Sequence, residues 1–329
     1  MSTNNNNNNN NNKLVYIDDH RVRHLLDWDK TFKAVEKSME SVAAGRAFQN
    51  ARAITTIPKT HNFLYTMPGY LNDSKYGALG CKLVSHFPEN PNRAKPLPYV
   101  LANILLLDPE TSILKAVIAG TDITNWRTAA ASAVATKYLH RKENNILAIM
   151  GAGVQGRIHA IAFQHFFKFK EVRIWNRTPE RAQKLAVELN REHNTKNLFV
   201  AYDKAEDCVR NADVIVTATT GASTLVKCEW IKKGAHINAV AVNPNNRELD
   251  DATYKASQVY IDNWNGARSE LNGIKELGVE FKGQIGDLIT GAIHPPESDA
   301  ITVFQSLGMA VEDCAMARLI YDLHLSSSS

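Results

Sequence analysis

One stretch narrows the possible folds more than any other: ILAIMGAGVQGRIHAIAFQHFF, residues 146–167. A short apolar run ends in Gly151, Gly153 and Gly156, and an unbroken segment follows with Ile158, Ile161, Ala162 and Phe166 on one helical face. A strand, a tight turn and a helix in that order form a phosphate-binding crossover. Gly151 permits the turn, Gly153 lets the backbone approach a pyrophosphate, and Gly156 lets helix and strand pack closely. The helix N-terminus adds the positive end of its dipole, with Val154 and Gln155 in the same loop. The spacing alone is a weak signal. Between a strand and a helix, with a second apolar run, EVRIW, ending about 20 residues on, it points strongly to a dinucleotide.

The rest of the second half keeps the same rhythm. ILAIM, EVRIW, NLFVAY, DVIVTAT, HINAVAV and QVYID alternate with helical segments, and several are continuous apolar runs, as parallel strands covered on both faces require. The expected fold class is α/β, a Rossmann-type doubly wound parallel sheet. Ligands lie outside the carboxyl ends of such strands, which makes Thr217, Ala218 and Thr219 candidates for the cofactor wall. A Thr-rich strand end chosen for β propensity explains them equally well. Ahead of this region the character differs. Leu25, Leu26, Trp28, Phe32, Val35 and Met39 recur near helical spacing. ARAITTIP, NFLYTMPGY, ALGCKLVSHF, YVLANILLLD and ILKAVIAG then read as a meandering sheet, and the Ala-rich RTAAASAVATKYL and the late SLGMAVEDCAMARLIYDLHL read as helices.

Where EVRIW ends, the chain reads Asn176, Arg177, Thr178. An acidic residue there would accept from the adenosine ribose and repel a 2′-phosphate, whereas an arginine neutralises that phosphate. Arg177 offers a planar fork of donors, with Asn176 and Thr178 adding shorter ones, so NADP(H) is favoured over NAD. Thr178-Pro179 is also a good helix start, so the triplet can be read as local structure with Arg177 merely exposed.

Composition excludes more than it proposes. At 329 residues and 44% hydrophobic the chain suits two domains with full cores. A formal charge of +4, spread without Lys/Arg blocks, gives no case for nucleic acid. Cys81, Cys208, Cys228 and Cys314 form no CxxC pair and the histidines form no HExxH, so no metal or disulfide framework is expected. No apolar stretch approaches the roughly 20 residues of a membrane helix. The start, MSTNNNNNNNNNK, has no signal-peptide layout, and the ends 1–12 and 326–329 read as solvated tails, so a cytoplasmic protein is expected.

RTAAASAVATKYL, GAGVQG, KEVRIWNRT, ADVIVT, KKGAHINAV, RELDD and VFQSLGMAVEDCA with LIYD run in order over nearly everything from Lys13 to Leu325. On these stretches the chain resembles the ornithine cyclodeaminase/mu-crystallin family, and its mu-crystallin branch most. The resemblance implies a homodimer. It also implies a Rossmann NADP-binding domain, residues 136–304, inserted into an α+β substrate and dimerisation domain built from residues 13–135 and a returning helix, 305–325. It further implies a cationic cluster that holds a substrate carboxylate: Arg52 in NARAI, Lys82 in GCKLV and Arg127 in NWRTAA. Each lies in or beside an apolar segment, where an unpaired charge is costly. Read without the family, Arg52 and Arg127 suit ordinary ion pairs as well.

Two departures from the cyclodeaminase branch bear on the reaction. Asn243 stands where that branch has an acid/base Asp, and Tyr65 where it has a Glu. Asn cannot take a proton from attacking water near neutral pH. The expected function is therefore NADPH-dependent reduction of the C=N bond of a cyclic imino acid. Arg52, Lys82 and Arg127 would bind the substrate, Lys82 or a water would supply the proton, and Asn243 would hydrogen-bond substrate or water. The alternatives are an ornithine cyclodeaminase converting L-ornithine to L-proline and ammonia with NAD, an amino-acid dehydrogenase acting on an open-chain keto acid and ammonia, and a non-catalytic NADPH-dependent binder of a small thyroid-hormone-like acid.

Overall fold

The computed structural model describes residues 14–219, 224–241 and 247–327. The described chain divides into two compact units, one from residues 14–26, 47–124 and 310–327, the other from residues 27–46 and 125–309.

The first unit is built on a seven-stranded sheet. Its strands run in the order Val15–Ile17, Leu114–Ala119, Val100–Leu107, Ala78–His86, Phe63–Leu71 and Ala47–Gln49, with Ala53–Thr56 also paired to Phe63–Leu71. All neighbours are antiparallel except the first two. Ala78–His86 alternates buried and half-buried residues over most of its length, the signature of a strand with one covered face. That face carries Met67, Lys82 and Ile104 side by side in register. The helix Ala310–Ser326 lies on it. A Cβ added at Gly69 would sit 3.1 Å from the Ala310 Cβ, and one at Gly80 would sit 3.3 Å from the Cys314 Sγ, so these glycines let the helix come close.

The second unit is an eight-stranded parallel sheet in the order Phe199–Tyr202, Glu171–Trp175, Ile146–Met150, Val214–Thr217, His236–Ala239, Thr302–Gln305, Gln258–Ile261 and Phe281–Gln284. One face buries Leu147, Ile149, Val172, Ile174, Val214 and Val216 with Phe163 of the following helix. The other buries Ala148, Ile215, Ile237, Val259 and Val303. Two apolar faces explain why these strands read as unbroken runs. The strand order reverses direction between Ile146–Met150 and Val214–Thr217, the switch point where this class of sheet opens a crevice.

The expected strands and the long helices form, with four additional strands. Val15–Ile17 and Ala47–Gln49 lie at the edges of the first sheet, and Phe281–Gln284 and Thr302–Gln305 belong to the parallel sheet. The early helical pattern is two helices, Asp19–Leu25 and Trp28–Ala43, each opened by an aspartate whose carboxylate accepts from a backbone N–H. The cuts between units also differ from the expected 135/136 and 304/305. They fall after residues 124 and 309, and residues 27–46 join the parallel-sheet unit. Packing explains the difference. Trp28 stacks on Trp126 with ring centroids 3.9 Å apart, Lys137 pairs with Glu36 at 2.8 Å, and Gly286 lies against the Met39 carbonyl, where an added Cβ would be 2.2 Å away.

Candidate functional site

The glycine loop lies at the switch point of the parallel sheet. Gly151 has φ +129°, a left-handed conformation that favours glycine, and a Cβ there would fall 2.6 Å from the Ala218 carbonyl oxygen. Its N–H donates to Trp175 O at 2.8 Å, which ties the turn to the next strand. At Gly156 a Cβ would meet Gly151 O at 1.8 Å, so only glycine lets the helix sit this close. Gly153 is the contrary case. Nothing lies within 4 Å of the Cβ position there, and the helix it opens, Val154–Phe167, receives no side-chain cap. Uncapped N–H groups beside open space suit a diphosphate. Val154 is exposed, while the Gln155 side chain turns to donate to Asn125 Oδ1 at 3.1 Å.

The Asn176–Thr178 triplet splits into two roles. Asn176 Oδ1 accepts from Ala152 N at 3.1 Å and its Nδ2 donates to Thr178 O at 3.0 Å, so this side chain braces the glycine loop rather than reaching outward. Pro179 does open the helix Pro179–Glu192, but the Thr178 hydroxyl makes no capping bond. Arg177 is exposed and makes no ion pair among the described residues. It directly follows Asn176, the residue that braces the glycine loop.

The end of the strand Val214–Thr217 is held by Glu248, which no local sequence pattern singles out. Thr219 donates both its N–H, at 2.8 Å, and its hydroxyl, at 2.6 Å, to Glu248 Oε1. Ala218 N donates to Met150 O at 2.9 Å, and Thr217 is fully buried. Glu248 is itself buried, and burial pushes its carboxyl upward from its ordinary value, partly offset by the threonine hydrogen bonds. The Thr219 hydroxyl is therefore turned toward Glu248. The only signal for this was the acid in RELDD, which local pattern cannot distinguish from a surface charge. Asn243 lies outside the described residues.

The three expected cations fall in different settings. Lys82 is 1% exposed and its ammonium lies 2.7 Å from Asp313 Oδ2, itself 0% exposed, on the helix Ala310–Ser326. Arg52 is half-buried, its guanidinium 5.7 Å from the centre of the Tyr65 ring. Tyr65 pairs with Val84, and Met67 with Lys82, so Arg52 and Lys82 are associated with neighbouring positions of one sheet face. Arg127 stands in the other unit, on the helix Thr121–Leu139, and is 7% exposed. Its guanidinium lies against Gly308 (φ +80°), where a Cβ would come within 2.7 Å of Nη1. The Leu307 and Gly308 N–H groups each donate to Asp262 Oδ2 at 2.7 Å, so this buried aspartate fixes the turn against which Arg127 rests. Asp262 was legible only as the end of QVYID.

A doubly wound sheet with a three-glycine crossover, joined in one chain to an antiparallel sheet whose covered face holds a buried lysine, defines a two-unit dinucleotide-binding protein. Residues 13–328 match the model of the ornithine cyclodeaminase/mu-crystallin family, and the chain belongs to that family. A rat protein named ketimine reductase mu-crystallin is 39% identical over 279 residues, which cover 84% of this chain and 86% of the rat protein. The Δ1-pyrroline-2-carboxylate reductase of Thermococcus litoralis, solved with NADH and L-proline, superposes with a TM-score of 0.89 at 32% identity, covering 96% and 98% of the two chains. An archaeal alanine dehydrogenase dimer with bound NAD gives 0.86 at 31% identity, covering 96% and 97%.

Proposed function

We propose that the protein is an NAD(P)-linked oxidoreductase that reduces the C=N bond of cyclic imino acids, with NADPH as the preferred reductant. The observation that carries this reading is a lysine and an arginine almost wholly buried, Lys82 and Arg127, in a chain whose sheet also carries an uncapped glycine loop. The planar guanidinium of Arg127 suits an anionic group such as a carboxylate, and the Lys82 ammonium suits proton supply. Relatives named for ketimine and pyrroline-2-carboxylate reduction favour a carboxylate beside a C=N bond.

When bound, the nicotinamide supplies the hydride that reduces the imine carbon. The protein's own part is positioning and proton supply. Gly151, Gly153 and Gly156 with the start of the Val154–Phe167 helix hold the diphosphate, braced by Asn176. Arg177 takes the 2′-phosphate, and Arg52 and Arg127 orient the carboxylate, which is mostly catalysis by alignment. Lys82 carries the proton that the imine nitrogen needs. A homodimer in the cytoplasm is part of this reading.

The test is oxidation of NADPH and NADH, side by side, with five- and six-membered cyclic imino acids. NADPH oxidation with at least one of them is expected, and Lys82→Met should abolish it while NADPH still binds. No oxidation with either cofactor would overturn the reductase. Proline and ammonia formed from ornithine and catalytic NAD would establish a cyclodeaminase instead. Tyr65, an aromatic under Arg52 where that chemistry wants a carboxylate, speaks against it.

A further inference from the structure

The ion pair between Lys82 and Asp313 conflicts with a simple carboxylate clamp. Lys82 and Asp313 lie 2.7 Å apart with 1% and 0% of their side chains exposed. A lysine already neutralised by a buried aspartate attracts a second carboxylate weakly, yet it is well placed to stay charged where burial alone would strip its proton. We infer that Asp313 is a positioning residue that keeps Lys82 protonated and aimed, so that Lys82 serves as the proton donor to the imine nitrogen rather than as an anchor for the substrate carboxylate.

The surroundings of Lys82 support that division of labour. From the strand Phe63–Leu71 its register neighbours on the covered face are Met67 and Tyr65, and from Val100–Leu107 they are Ala102 and Ile104. Of these only Tyr65 can ionise, and it carries Arg52 over its ring. On its own strand Cys81 is adjacent. The covering helix brings Glu312, fully buried, together with Asp313 and Cys314. Burial pushes both thiols upward, so neither adds a charge near neutral pH. The Asp313 carboxylate is in contact with the ammonium.

The inference rests on the reductase reading, and its chemistry balances within that reaction. The imine carbon gains the hydride carried by the reduced nicotinamide, the C=N double bond becomes single, and the nitrogen takes one proton from the Lys82 ammonium. Lys82, left as a neutral amine beside Asp313, regains its proton from water.

Asp313→Asn removes the charge and keeps the shape. The alkaline limb of kcat/KM should then move down by at least about one pH unit, because a buried amine without its counter-charge loses its proton sooner. Activity near pH 6 should stay within a few-fold of the parent, and KM for the imino acid should change little. Asp313→Glu should restore the limb. In cofactor-free protein, the ¹⁵N signal of the Lys82 Nζ, identified by its loss in Lys82→Arg, should titrate at lower pH in Asp313→Asn than in the parent. An active parent enzyme whose Asp313→Asn variant keeps the pH profile and the Nζ titration unchanged would overturn the inference, as would a rise in KM alone. A parent enzyme without reductase activity would overturn the underlying reading instead, and the Nζ titration would still report on the pairing.

Discussion

At the scale of single residues, Gly151, Gly153 and Gly156 differ in what they tolerate. Gly153 has room for a side chain. Gly156 has none, because its Cβ would strike Gly151 O at 1.8 Å. Gly156→Ala should cost about 1–3 kcal/mol, the usual range for overpacking, and weaken cofactor binding, both measurable by thermal melting with and without NADPH. Arg177 makes a cleaner test because it is exposed and unpaired among the described residues. Arg177→Ala should raise KM for NADPH roughly 10- to 100-fold, the value of one charge-assisted contact, and leave NADH unchanged. Equal losses with both cofactors would remove Arg177 from 2′-phosphate recognition. The tight turn at Gly151 and the close packing at Gly156 were legible because each depends on neighbours along the chain. The brace made by Asn176 and the diversion of Thr219 to Glu248 were not, since their partners lie 24 and 29 residues away.

At the scale of elements, the strands that were missed share a cause. Phe281–Gln284 reads FKGQ and Thr302–Gln305 reads TVFQ; each is four residues long with too few apolar positions to show a period. Thr302–Gln305 is nevertheless a central strand, flanked by His236–Ala239 and Gln258–Ile261. The helix Trp28–Ala43 shows the same limit. Its period was clear, but its unit was not, because the Trp28–Trp126 stack joins residues about a hundred positions apart in the chain. Trp28→Ala should cost about 3–5 kcal/mol as a buried aromatic truncation, lowering the urea midpoint of the nucleotide unit. A loss below about 1 kcal/mol would mean that the helix is held by its other contacts.

At the scale of the whole molecule, pH sensitivity follows from two histidines buried in the parallel-sheet unit. Burial holds His159 down at about 4, with only the Gln155 carbonyl opposing it. Burial, then the field of His140, holds His236 down at about 3. Both are neutral when folded and near 6.5 when unfolded, so the unfolded chain binds more protons as pH falls. Their stabilising contribution is complete above about pH 6.5 and is lost progressively down to the folded values. Between pH 7.5 and 5 each should cost about 2 kcal/mol of unfolding free energy, and His159→Gln should flatten that slope. An unfolding free energy equal at the two pH values would contradict their neutral burial.

The sequence by itself determined the parts set by neighbours along the chain. These are the glycine crossover, the apolar runs of a doubly wound sheet, and the choice of an arginine at the end of the second strand. The tertiary structure alone decided that Lys82 is paired with Asp313, that Asp262 props the turn behind Arg127, and that Glu248 holds Thr219. Those are pairings of buried charge and polar groups across long separations. Their free energy depends on what each group meets once water is removed, which no local pattern encodes.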